Sequence, residues 1–182
     1  MAGKLQGWID GFSADVKTVE GLLGEPAASG PARVLAAAAL SYMITKLDLV
    51  PDWEDALGVV DDAMVLRVAC ALASERGLGK LPEELERKVA ALANQADAVD
   101  AVVGAELAPI FRKYVANLEL PANVVRGRTA AQLVENAKLR EKLSAELAEE
   151  LRKLPVKPIG DEAAATKILM NYLNTKLKPV KK

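Results

Sequence analysis

Two stretches of this sequence are apolar on nearly every side of a helix: Ala32 to Thr45, ARVLAAAALSYMIT, and Ala63 to Ala73, AMVLRVACALA. A helix without a polar face has to be enclosed by other elements, so the chain is predicted to fold around these two as a central hairpin. The segment joining them, residues 47 to 66 (LDLVPDWEDALGVVDDAMVL), holds six acids and no Lys or Arg. The whole chain carries 24 Lys plus Arg against 25 Asp plus Glu, so the other 162 residues sum to +5. Negative charge is therefore gathered at the bend of the hairpin.

The rest of the chain supplies the enclosure. Leu5, Ile9, Phe12, Val16, Val19 and Leu23 recur at helical spacing with Trp8 beside them, and Gly24, Pro26, Gly30 and Pro31 end that helix. Pro82, Glu83 and Glu84 open another in the favoured order, with Leu85, Val89, Leu92, Ala96, Val99 and Val103 as its seam. Gly104 and Pro109 predict a break before a short helix through Ile110, Phe111, Tyr114, Val115 and Leu118, closed by Pro121. Thr129 and Gln132 have capping-box spacing and start a charged helix to Leu154, striped by Leu143, Leu147, Leu151 and Leu154. Asp161 caps a last helix with Ile168, Leu169, Tyr172, Leu173 and Leu177 on one face. No strand-like alternation, internal repeat or low-complexity linker interrupts this pattern, so the expected class is all-α, with about seven helices around the central hairpin.

Composition excludes several kinds of chemistry. There is no histidine among the 182 residues, which removes Ser-His-Asp triads, Cys-His pairs and every zinc site that uses an imidazole. Cys70 is the single cysteine, lies in an apolar run and is expected to be buried and inert. No catalytic residue is assigned. The first ten residues, MAGKLQGWID, have no apolar run before their first acid, and the longest uncharged stretch, Val34 to Thr45, is 12 residues. A secretory signal and a spanning helix both need longer apolar runs, so a cytoplasmic protein is expected. The net charge of -1 lacks the footprint of a nucleic-acid binder.

The acidic bend has three readings. Two carboxylates about 4 Å apart repel by roughly 4 kcal/mol at an effective dielectric near 20, so the acids must point apart, take up protons, meet cations or share a metal. In the plainest reading, Pro51 makes Val50 extended, Asp52 caps a short turn from Trp53 to Ala56, and Asp61 and Asp62 occupy the first turn of the next helix. Arg67 is too far along that helix to pair with them, and Arg33 and Lys46 are the better candidates. In the second reading, Asp48, Asp52, Asp61 and Asp62 surround one Mg2+ or Ca2+, oxygen being the ligand those ions take. In the third, Asp52, Trp53, Glu54 and Asp55 form a surface for a protein partner, with Trp53 as its hydrophobic anchor or, more plainly, as a lid over the hairpin.

At this bend the sequence resembles the YkvA-like family, a bacterial domain family of uncharacterised function. The resemblance rests on Tyr42 in the apolar helix, on Asp48-Leu49-Val50-Pro51-Asp52, and on Leu57-Gly58-Val59-Val60-Asp61-Asp62, within about residues 32 to 73. Family members often carry proline where Lys46 stands and again near Asp55. The resemblance implies a compact helical hairpin with a fixed acidic turn and no established catalytic residue. Residues 1 to 104 are expected to form the YkvA-like helical domain and residues 105 to 182 a helical extension that packs on it or projects from it.

The functional expectation is a non-enzymatic protein-interaction or assembly component that uses the acidic turn, with the later leucine stripe as cover for the core or as a second contact. A divalent-metal-binding protein or metal-dependent hydrolase at the Asp cluster is the first alternative. Peripheral membrane attachment is the other, through the hairpin or through Lys176, Lys178, Lys181 and Lys182. The run Gly77-Leu78-Gly79-Lys80 lacks the rest of a phosphate-loop pattern and is expected to be a turn.

Overall fold

The computed structural model describes residues 3–45, 49–51, 56–154 and 157–178. Among them are nine α-helices and, outside these, two isolated β-bridges. The helices are α1 (Lys4–Gly24), α2 (Gly30–Tyr42), α3 (Ala56–Arg76), α4 (Glu83–Ala93), α5 (Ala96–Val103), α6 (Ala108–Asn117), α7 (Ala130–Glu135), α8 (Ala137–Arg152) and α9 (Glu162–Leu177). The all-α class is as expected. Among the described residues no helix is long and apolar enough to cross a membrane.

The two apolar runs form the centre. In α2, every residue from Leu35 to Tyr42 is buried, and four consecutive alanines, Ala36 to Ala39, let neighbouring backbones approach closely. α3 is buried on nearly its whole circumference, from Ala56 to Ala73. α1 packs on both through Leu5, Trp8, Phe12, Val16, Val19, Leu22 and Leu23. α4, α5 and α6 lie along α3, α7 lies on α2, α8 on α1, and α9 on α5 and α6.

Two expected helices are each divided. The seam from Val89 to Val103 is buried throughout, but the helix stops at Asn94 and restarts at Ala96. The charged helix breaks at Asn136, whose backbone is extended (φ −118, ψ 109) and serves both sides. Its N–H closes α7 on the Gln132 carbonyl, while its side-chain oxygen accepts from Lys138 and Leu139 to start α8. A short polar side chain that bonds nearby backbone competes with helix in this way.

α3 begins earlier than expected. Asp61 and Asp62 lie in its second turn, not its first, and Gly58 is inside the helix. Ala56, Leu57, Val59 and Val60 are all buried, and their burial outweighs the roughly 1 kcal/mol by which glycine disfavours a helix. The leucine stripe of α8 turns inward: Leu143 and Leu147 are buried, and Leu151 and Leu154 pack against the same core. Its leucines cover the core.

Local signals hold where expected. Thr129 and Gln132 form the reciprocal capping box, and Asp161 accepts from the N–H groups of Ala163 and Ala164. The Gly77 to Lys80 segment is a turn that pairs Gly79 with Ala28. Gly79 has φ +81, and a Cβ there would stand 2.5 Å from the Ser29 nitrogen. Only glycine fits that crossing.

Candidate functional site: the buried clamp at the bend

The chain leaving α2 at Tyr42 returns at Leu49, Val50 and Pro51 before α3 begins. Leu49 and Val50 are 3% and 0% exposed, so their backbone N–H groups cannot rely on water. Two side chains take them. Leu49 N–H donates to the Tyr42 hydroxyl oxygen at 2.7 Å, and Val50 N–H donates to Oδ2 of Asp61 at 3.2 Å. The Tyr42 hydroxyl donates its own proton to the same Oδ2, at 2.7 Å. One phenol and one carboxylate therefore join the ends of α2 and α3 through the backbone of Leu49 and Val50.

This geometry accounts for the motif's residue types and spacing. A hydroxyl is needed at the end of α2 because it must accept from one group while donating to another. An acceptor with lone pairs to spare is needed opposite, and Asp61 supplies it from a helix turn whose other inward residues, Leu57, Val60 and Met64, are apolar. Tyr42 is further held by Tyr114 of α6, edge to face, with ring centroids 6.2 Å apart. α6 lies beyond the motif, so the later helices buttress the clamp.

Asp61 is completely buried, and burial pushes its carboxyl up to about 7, against the opposing pull of the Tyr42 and Val50 hydrogen bonds. Its Oδ1 is also buried and has no side-chain partner among the described residues. Burial and the neighbouring Asp61 raise the Tyr42 phenol well above its ordinary value, so it remains a proton donor. Asp62, next along α3, is half-buried.

The residues expected to meet a partner, Asp52, Trp53, Glu54 and Asp55, lie outside the described residues, as do Asp48 and Asp52 of the expected metal set and the expected cation Lys46. Of the metal set, Asp61 and Asp62 are described, and no three Asp, Glu, Cys or His converge among the described residues. Arg33 is not the cation of the bend: it donates to the carbonyls of Leu23 and Val134 and ties α2 to α1 and α7. Cys70 is buried and burial pushes its thiol up to about 12, as suits an inert position.

The burial of Asp61 was not expected, although a signal for it exists. Asp61 lies one helical turn after Leu57 and one before Met64 and Val65, on the same apolar face.

Residues 32–67 match the model of a family described as "Protein of unknown function (DUF1232)". The match covers α2, the bend and the first half of α3, in agreement with the YkvA-like resemblance on a segment only. No curated protein and no solved structure matches the chain.

Proposed function

We propose that this chain is a non-enzymatic helical interaction module whose acidic bend is recognised by a protein partner bearing basic side chains. The observation that carries the reading is the Tyr42–Asp61 clamp. A buried pair holds consecutive backbone N–H groups on one side of residues 52–55, and α3 begins at Ala56 on the other. Asp52, Trp53, Glu54 and Asp55 thus have held chain on both sides in sequence, and held neighbours lower the entropy lost when a segment is bound. The setting we infer is the cytoplasm, where a lone thiol such as Cys70 remains reduced.

The test is a quantitative pull-down from the parent cell with the wild-type chain and with Asp52→Lys/Asp55→Lys. Loss of specific partners on charge reversal is the expected result. An unchanged set of partners sinks the reading.

A further inference from the structure

A cavity of about 550 Å3 lies between α1 and α4. Its size falls within the roughly 300–1,000 Å3 of small-ligand pockets. Leu85 and Leu92 of α4 give it an apolar wall, while Asp15 of α1 and Gln95, at the joint between α4 and α5, give it polar groups.

Asp15 and Gln95 are set side by side by Arg67 of α3. Its Nη2 donates to Oδ2 of Asp15 and its Nε to Oε1 of Gln95, and these two nitrogens project their N–H bonds from one edge of a rigid planar fork. A guanidinium only donates, so each partner must turn an oxygen toward it and leave its other terminal atom free for something else. Those other atoms, Oδ1 of Asp15 and Nε2 of Gln95, meet no hydrogen-bond partner among the described residues, and neither is sealed from the surface. The Asp15 side chain keeps 15% of its surface accessible, although its Oδ2 is engaged by a buried cation. The two residues thus bring to one cavity an acceptor and a donor with bonding capacity to spare.

The charges select the ligand further. Arg67 offsets Asp15, and Lys17 and Lys88 in the lining disfavour a cation, while the Asp15 carboxylate disfavours an anion. We propose that this cavity binds a small neutral molecule with a carboxamide-like group on an apolar body. Its N–H donates to Oδ1 of Asp15, its carbonyl accepts from Nε2 of Gln95, and its body lies against Leu85 and Leu92. The site shares no residue with the acidic bend and does not depend on the partner proposed there.

The test follows amide shifts of the full chain by NMR during titration with three probes built on one ring. Benzamide has both groups, N,N-dimethylbenzamide has no N–H, and benzamidinium has no acceptor and carries a charge. Saturable shifts around Asp15, Leu92 and Gln95 are expected with benzamide, and the other two bind at least about tenfold more weakly. Gln95→Glu keeps the oxygen that Arg67 needs, deletes the Nε2 donor and weakens benzamide by a similar factor. Because that variant also adds a charge beside Asp15, Ala91→Phe provides the second arm: Ala91 is exposed and lines the cavity, so a phenyl group there fills the space while Arg67, Asp15 and Gln95 stay as they are. The proposal is overturned if benzamide gives no saturable shifts, if either of the other probes matches it, or if either substitution leaves its binding unchanged.

Discussion

The guanidinium of Arg67 in α3 lies 2.9 Å from the carboxylate of Asp15 in α1, with its carbon 5.2 Å from the ring centroid of Trp8. Its Nε donates to Gln95 and its Nη1 to the carbonyl of Ala63, each at 2.9 Å, so all three nitrogens are used. One buried cation thereby fastens α1, α3 and the joint between α4 and α5. Burial pushes Asp15 up and Arg67 down, and each partly restores the other.

Removing that cation strands a carboxylate. Arg67→Ala is expected to cost about 3–5 kcal/mol, as for a broken buried pair. Asp15→Asn keeps a hydrogen-bond acceptor on a side chain that is 15% exposed and costs less. Urea midpoints at unchanged m-value measure both, and an Asp15→Asn variant as stable as the wild type would show that Arg67 acts through packing alone.

Asp61 makes stability depend on pH. Its folded value of about 7 stands above the ordinary 3.8, so between those limits the folded chain keeps a proton that the unfolded chain releases. The contribution is complete below about pH 4, declines by about 4 kcal/mol over the next three units, and is lost by about pH 7. Asp61→Asn offers the same acceptor without the charge. Between pH 5 and 8 the wild type should lose roughly 3 kcal/mol more than this variant. Parallel denaturation curves for the two proteins would refute a protonated Asp61.

Tyr42→Phe keeps the ring against Tyr114 but leaves Leu49 N–H without its acceptor and takes a donor from Asp61. A cost of about 1–3 kcal/mol is expected. Hydrogen exchange at Leu49 and Val50 should accelerate more than at core positions such as Val16 and Val89. Uniform acceleration would mean that the clamp has no local role.

Two glycines should respond in opposite directions. Gly79→Ala forces a methyl onto the backbone of Ser29 at a positive φ and should destabilise by more than about 1 kcal/mol. Gly7, inside α1, has no atom within 4 Å of the place a methyl would occupy, and Gly7→Ala should stabilise by about 0.5–1 kcal/mol. Melting temperatures of the two variants provide the comparison.

Features written within a few residues of each other were legible before the structure. The α1 and α2 spans, the Thr129 box, the Asp161 cap and the two apolar runs all follow from periodicity or short spacing. Pairings across the fold were not. Asp61 looks like one more acid of the bend until Tyr42, 19 residues earlier, is placed against it. Arg67 has no visible partner because Asp15 is 52 residues away. The Asn136 break was hidden by the strong helix formers around it, since the capping bonds depend on an extended backbone at a single residue.

The segment leading into α9 is tied to the first turn of α1, where Ile159 N–H donates to Gln6 at 2.8 Å and Leu5 N–H to Glu162 at 2.9 Å. These bonds join residues 153 and 157 positions apart. During synthesis, therefore, this seam can be sewn only after the residues through Glu162 have left the ribosome. Until then α1 must wait with its opening turn unfastened, and the nascent chain depends on α2 and α3 to keep it in place.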